Sequence, residues 1–308
     1  VRPWLRLYAN QAGNFSPQSA LDLNGRDVGN VKGTGRDYGV KLNLRGDRLY
    51  LRAGAYESAA TRQARLVFGH AGWIRQIWEA IEGPTGKNYT AIDPTNNVFD
   101  TFDMVATGQE LEVTANPRPG LSFTANYATL HVESARNIPA TAAYVALQAP
   151  AWRAANPNLP VPSVPGRTLA VALANLDALL AQELAQDGRE AAGNYRHSLN
   201  VVGRHQFPAG SLQGWSLGGG YRYRAGRLVN YTVAQEEIRA PAYGLVNAFV
   251  DYRTRWGIRR VDTTIRLYVS NLLNHRDHII TGTDGTGVVT GYALQEPRFV
   301  TLAVEFGF

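Results

Sequence analysis

The sequence predicts an all-β chain whose strands form the wall of a transmembrane antiparallel β-barrel. Three observations carry this. The closing segment alternates without a break between apolar and polar side chains. No stretch of the 308 residues approaches the roughly eighteen consecutive apolar residues of a membrane helix. Alternating runs also recur in pairs, each joined by a short turn marked by Gly or Pro and followed by a long segment.

In chain order, a first strand is predicted at Trp4 to Ala9. Asp37 to Arg45, with Tyr38, Val40, Leu42 and Leu44 on one face, meets Arg48 to Glu57 across Gly46-Asp47. Gln109 to Asn116 meets Leu121 to Leu130 across Pro117-Arg118-Pro119-Gly120, and Tyr195 to Phe207 meets Trp215 to Arg224 across Pro208-Ala209-Gly210-Ser211. Tyr243 to Arg253 meets Val261 to Asn271 across Trp256-Gly257. In that last run Val261, Thr263, Ile265, Leu267 and Val269 oppose Asp262, Thr264, Arg266, Tyr268 and Ser270. The final strand, Phe299 to Phe308, places Val300, Leu302, Val304, Phe306 and Phe308 opposite Thr301, Ala303, Glu305 and Gly307. The count is about ten strands.

An antiparallel sheet on a soluble core shows the same alternation, so the ends decide. A strand of about 9–11 residues, oily on one side and finished by aromatics, fits a tilted membrane crossing. Trp4, Trp215, Tyr221, Tyr223, Tyr252 and Trp256 lie near strand ends, where an interfacial girdle would sit. The oily face is therefore assigned to lipid and the charged face to a lumen. Short turns belong on the periplasmic side. Residues 10–35, 58–107, 131–194, 225–242 and 272–297 then lie outside the cell. One loop helix is predicted over Thr168 to Leu184, where Leu169, Leu173, Leu176, Leu180 and Leu184 recur at helical spacing, and it is read as packing on neighbouring loops.

Composition removes several functions. With no cysteine there is no disulfide framework, thiol nucleophile or cysteine metal site. The net charge of +6 does not indicate nucleic acid, because the arginines are spread over inward strand faces and turns rather than gathered in one stripe. Lumen polarity and lipopolysaccharide phosphates are the partners expected of that charge. No elbow motif or partnered carboxylate pair suggests an enzyme. The chain starts at Val1 with no signal segment, from which an N-terminal portion is expected to be missing.

The end of the chain carries a resemblance. Asn271-Leu272-Leu273-Asn274, a Gly-rich loop, Glu296-Pro297-Arg298 and a closing strand that ends in Phe resemble the C-terminus of TonB-dependent outer-membrane receptors. Leu273 stands where that family commonly has Phe, and Leu294-Gln295-Glu296 where Tyr-Gly is common. Tyr8-Ala9-Asn10, Gly39-Val40-Lys41-Leu42, Gly108 to Val113 and Leu212 to Gly220 are similar to phrases of the siderophore-receptor branch.

The resemblance implies that this chain is the C-terminal part of a barrel of about 22 strands, with an N-terminal plug domain absent here. It implies energy-coupled uptake of a ferric siderophore or similar iron chelate, with the TonB complex engaged through the plug. Outer-membrane lipid and the barrel-assembly machinery are further partners, and Phe308 is part of the assembly signal. No cofactor is implied, iron entering only within the transported chelate. A passive porin, a structural or adhesive barrel, a soluble all-β protein, and receptors for haem, cobalamin or carbohydrate remain the rival readings.

Tyr8, Phe15, Trp73, Trp78, Tyr231 and Tyr292 fall in or beside the predicted outer loops, where aromatic faces could stack on an iron chelate. Arg36, Arg75 or Arg227 could neutralise its charge. His275-Arg276-Asp277-His278 and Gly282 to Gly287 are read as solvated loop and flexible turn rather than metal or phosphate sites, lacking further ligands or a P-loop ending.

Overall fold

The computed structural model describes residues 3–46, 48–92, 97–256, 261–284 and 286–307. Its frame is one antiparallel sheet of ten long strands, each hydrogen-bonded to the next in order along the chain. Those strands are β1 (Leu5–Ser16), β2 (Val31–Leu44), β3 (Leu49–Leu66), β4 (Phe99–Arg118), β5 (Leu121–Ala135), β7 (His197–Gln206), β8 (Trp215–Arg224), β11 (Tyr243–Trp256), β12 (Val261–Ser270) and β15 (Phe299–Gly307). A two-residue strand, β6 (Arg189–Glu190), adds to β5. Two small hairpins lie off the sheet, β9 (Leu228–Tyr231) with β10 (Glu237–Arg239), and β13 (His278–Thr283) with β14 (Val289–Leu294).

All ten predicted strands are present. Their loop-side ends are not where the alternation placed them, because β1 to β5 run well into segments assigned to loops. There apolar and polar residues no longer separate by face, as with Phe99, Phe102 and Val105 of β4, so the contrast that marks a strand disappears while the ladder continues. At the other end, β4 includes Pro117 and Arg118, and the reversal shrinks to Pro119-Gly120, with Arg118 paired to Leu121. Gly120 has φ +80°, and a β-carbon there would lie 2.2 Å from the Gln206 carbonyl oxygen, so glycine is required twice over. The turn predicted at Trp256-Gly257 continues outside the described residues, as do Asp47 and Phe308.

The register sorts side chains as the period of two requires. One face carries Leu5, Leu42, Leu51, Val113, Ala125, Val201 and Tyr221 in lateral succession. On the last strand Val300, Leu302, Val304 and Phe306 stand 46–68% exposed on this face. Toward the loop end the same face turns polar along the row Gln11, Arg36, Glu57, Thr107 and His131.

The buried core lies elsewhere, in the segments after β3 and β5. Helices α1 (Phe68–Glu82), α2 (Lys87–Ala91), α3 (Pro139–Ala154) and α4 (Leu169–Leu184) occupy them. Ile74, Ile77 and Trp78 of α1, Val145 and Trp152 of α3 and Leu169 and Leu176 of α4 form one apolar cluster, closed by Leu23, Ile92, Val98 and Ile138. The predicted helix is α4, which begins after an extended Thr168 that makes no side-chain capping hydrogen bond, and it packs on α1 as expected of a loop helix. The sequence does not predict α1, α2 or α3. In α1, Ala71, Ile74, Trp78 and Ile81 do fall on one stripe.

Asp100, the second residue of β4, bolts this helical cap to the sheet. Its buried carboxylate accepts the backbone N–H groups of Thr101 at 2.7 Å, Ala140 at 3.3 Å and Thr141 at 2.6 Å. An acceptor supplied by a neighbouring strand thus serves the orphan donors of the first turn of α3. Ile138, just before that helix, has φ +48°, unfavourable for a β-branched residue, and its fully buried side chain in the cap core holds it there. Among the described residues no helix is long and apolar enough to cross a membrane.

Candidate ligand-binding face

The other face of the sheet is cationic and aromatic. One lateral row reads Arg6, Lys41, Arg52, Glu112, Asn126, Asn200 and Arg222, and the next reads Tyr8, Gly39, Gly54, Glu110, Ala128, Ser198, Arg224 and Tyr243. Glycine at 39 and 54 lets the Tyr8 ring lie flat across β2 and β3: a β-carbon at either position would come within 2.7 Å of its hydroxyl. The ring is flanked by cations, with Lys41 Nζ 5.2 Å and the Arg52 guanidinium carbon 5.6 Å from its centre. Arg52 Nε also donates to the Tyr8 hydroxyl at 3.4 Å.

Toward the short-turn end the cations are neutralised. Asp251, almost fully buried, accepts Arg266 Nε at 2.8 Å and lies 3.4 Å from Arg204 Nη2, which also donates to Ser216 Oγ at 3.1 Å. Four strands are stapled through this one carboxylate. It offers no free charge to a ligand, since both its guanidinium partners are engaged.

Toward the loop end the arrangement opens. Asn200, Arg222, Leu245, Asn247, Tyr268 and Glu296 are among the residues that line a cleft of about 290 Å³. Above it Tyr195 and Tyr243 meet edge to face at 6.2 Å, and the Arg227 guanidinium lies 5.6 Å from the Tyr195 ring. The two small hairpins stand over this end. Arg227 Nη2 donates to the Ile280 carbonyl at 3.3 Å and Asn230 Nδ2 to the Thr283 carbonyl at 3.2 Å, tying the hairpins together.

Glu190 anchors the first hairpin to the sheet. It accepts Arg196 Nη2 at 2.7 Å and a short hydrogen bond from Arg239 Nη2. Burial alone would raise the Glu190 carboxyl, and the two guanidinium hydrogen bonds overcome this and hold it below the usual carboxylate range.

The Asn271-Leu272-Leu273-Asn274 motif is a corner. Asn271 and Asn274 have φ +46° and +56°, a conformation asparagine tolerates. The buried Asn271 amide donates to the carbonyls of His275 at 2.7 Å and Glu296 at 2.8 Å and accepts the His275 N–H at 3.0 Å, while its own N–H donates to Asn247 Oδ1 at 2.9 Å. Asn274 Oδ1 accepts the Arg298 N–H at 3.1 Å. Both ends of the loop between β12 and β15 are thereby clamped.

The aromatic and basic residues singled out from the sequence do not converge. Tyr8 lies on the cationic face itself, mid-strand rather than in a loop. Phe15 and Arg36 belong to the opposite face. Trp73 carries the Arg167 guanidinium 4.7 Å from its ring and packs on the cap core. Trp78 is inside that core, edge-on to Trp152 at 5.6 Å, its indole N–H donating to Tyr144 Oη at 3.0 Å. Tyr231 is buried, its hydroxyl donating to the Glu190 carbonyl at 3.0 Å beneath the Arg189 guanidinium. Trp78 and Tyr231 are thus committed to internal packing and present no face to a ligand. Tyr292 remains exposed, edge-on to His278 at 5.7 Å. Arg75 stacks on Tyr89 within the cap. No cluster of three or more metal-ligating side chains occurs among the described residues. The loop-end residues Arg222, Arg224, Tyr243 and Asn247 were not singled out, although strand parity alone assigns them to the charged face.

Solved structures contain the same wall. The chain superposes on the ferripyoverdine receptor of the outer membrane of Pseudomonas aeruginosa bound to ferripyoverdine with a TM-score of 0.61 at 15% identity, covering 99% of this chain and 31% of that one. For BauA, the ferric preacinetobactin receptor from Acinetobacter baumannii, the TM-score is 0.61 at 14% identity, with 99% and 34% covered. For the ferric citrate transporter FecA it is 0.54 at 13% identity, with 98% and 36% covered. The chain therefore has the fold of a β-barrel wall and spans about a third of the length of each of these proteins. No family model and no curated protein matches the sequence.

Proposed function

We propose that this chain is the C-terminal part of the barrel of an outer-membrane receptor that takes up a ferric siderophore or similar iron chelate by energy-coupled, TonB-dependent transport. The observation that carries this reading is the polarity of one continuous sheet, with an apolar belt on one face and cations and aromatics on the other. The belt faces lipid, where strand backbones must be hydrogen-bonded throughout. The cationic face lines a lumen. The loop end, with its helical cap and clamped hairpins, lies outside the cell, and the short turns face the periplasm. The likeness to receptors of ferric chelates, in fold and in the closing motif, supports the same reading.

In this arrangement a bulky chelate enters between the outer hairpins and meets the cleft beneath them. Tyr195, Tyr243 and Tyr268 offer apolar ring faces, and the arginines offer charge and directed N–H groups. No bond is made or broken on this chain. The plug and the coupling to the inner membrane are contributions of the remainder of such a receptor.

The test is uptake of radio-iron chelates by iron-starved cells with and without the gene. Loss of accumulation of at least one chelate on deletion, its recovery on complementation, and its collapse when the proton gradient is discharged are expected. Uptake that persists without the gradient would make the protein a passive pore, and unchanged uptake of every chelate after deletion would sink the iron reading.

A further inference from the structure

We infer that the outer side of the wall carries a site for one phosphorylated glycolipid, its headgroup held beside Arg36 and an acyl chain laid over Ala53 and Ala55. The inference rests on the orientation adopted above, with the apolar belt in the membrane and the loop end outside the cell. It concerns the face opposite the cleft.

Shape and polarity coincide here. Two depressions meet on this face of β2 to β5. The lower, of about 500 Å³, lies in the apolar belt, with Tyr38 on one side, Leu111 and Tyr127 on the other, and Ala53 and Ala55 of β3 as a low floor between them. The upper, of about 780 Å³, shares Tyr38, Ala55 and Gln109 with it and extends into the polar row of Arg36, Glu57, Thr107 and His131. From the row of Arg36 to the row of Val40 is four residues along β2, so the change from charged to oily is complete within about 13 Å. Side chains fix the boundary. Tyr127 of the lower depression stacks on His197 of the upper with 14° between the rings, and its hydroxyl is hydrogen-bonded to His197 Nδ1 at 2.8 Å. Across the trough Tyr38, 63% exposed, borders both depressions.

The charges of the upper depression select the headgroup. Arg196 is 2.7 Å from Glu190 and the His131 ring 2.8 Å from Glu133, so both are engaged within the protein. Arg36 and its register partner Glu57 make no ion pair among the described residues. A phosphate ester matches the guanidinium of Arg36. Facing Glu57 as well, a phosphate alone would be repelled, whereas sugar hydroxyls donate to that carboxylate and exchange hydrogen bonds with Thr107, Gln109 and Thr129. Polar pockets at a membrane interface hold lipid headgroups in this way. A glycerophospholipid would fill the trough and leave the broader depression above it unoccupied.

The experiment measures lipid retention by the delipidated full receptor in detergent, using native mass spectrometry with bisphosphorylated lipid A, dephosphorylated lipid A and phosphatidylethanolamine as probes. One bisphosphorylated lipid A per receptor is expected, bound about tenfold more tightly than either of the others, as one charge-assisted contact allows. Arg36→Gln should remove most of the preference for the phosphorylated form. Ala55→Trp, which fills the trough, should weaken both forms of lipid A, and Val300→Trp, on the same face of the last strand, should weaken neither. Equal retention of the two forms, a preference for phosphatidylethanolamine, or a phosphate preference that survives Arg36→Gln overturns the inference. Iron-chelate uptake by cells carrying the same gene reports separately on the transport reading: uptake without lipid A preference strikes this inference alone, and lipid A preference without uptake of any chelate strikes the transport reading alone.

Discussion

The wall and the helical cap are built from the same chain on opposite plans. In the wall the large aliphatic side chains stand outward, Leu302 at 68% exposure, and the charges face one another across the interior surface. In the cap large apolar side chains are inside, Trp152 and Ile77 buried at 1% and 0%. The difference teaches where each part draws its stability. The cap carries its own apolar core. The wall leaves its apolar belt exposed, a surface that lipid would cover in the proposed membrane setting, and its cohesion comes from the ladder and from staples such as Asp251.

The sharpest way to break the comparison is to hollow out the cap. Trp152→Ala removes the largest buried side chain and should cost the cap about 3–5 kcal/mol, seen as protease cleavage in 136–196 with the heat-resistant barrel band on gels unchanged. If the barrel band is lost as well, the two parts are not independent. The inverse substitution is Leu302→Arg on the apolar face, expected to cost about 2–4 kcal/mol near the bilayer midplane. Thr301→Arg, one residue along and on the other face, should be tolerated. Equal effects of the two in denaturant titrations of refolded protein in vesicles would refute the assignment of faces.

A smaller effect is expected where the parts are joined. Asp100→Ala leaves the first-turn donors of α3 without their acceptor, worth about 1–2 kcal/mol of cap stability, read as faster amide exchange at 139–142. The smallest is a pH effect at His70 of α1. Burial is the main cause of its lowered pKa, with Arg65 acting in the same direction and Glu183, Asp100 and the Leu179 backbone opposing. A buried neutral histidine binds its proton less readily than in the unfolded chain. Cap stability is therefore full above the ordinary histidine value near 6.5 and declines as pH falls from there toward the depressed value. Melting of the cap at pH 7.5 and 5.5 should show this, and His70→Gln should flatten it.

How much of this was legible follows from the same division. The wall was readable because alternation is a local signal: Val300, Leu302 and Val304 declare their face with no knowledge of any other strand. The outer parts of β1 to β5 were not, since Arg36, Glu57 and Thr107 stand on the lipid parity beyond the apolar belt and erase the contrast. Helix α4 announced itself by leucines at three and four, whereas α1 was obscured by reading Trp73 and Trp78 as ligand aromatics. Which loop aromatics are buried is decided by packing between segments far apart in sequence, as when Trp78 meets Trp152. The place of Arg222 and Arg224 on the charged face, by contrast, needs only parity.

The corner at Asn271 and Asn274 separates the loop it opens from the strands it joins. Its clamps use backbone groups at His275, Glu296 and Arg298, so they are indifferent to what lies between. The β13–β14 hairpin is a detachable fitting on a fixed mount. Exchange of residues 278–294 would spare the pairing of β12 with β15 and would alter only the hairpin and its ties to Arg227 and Asn230.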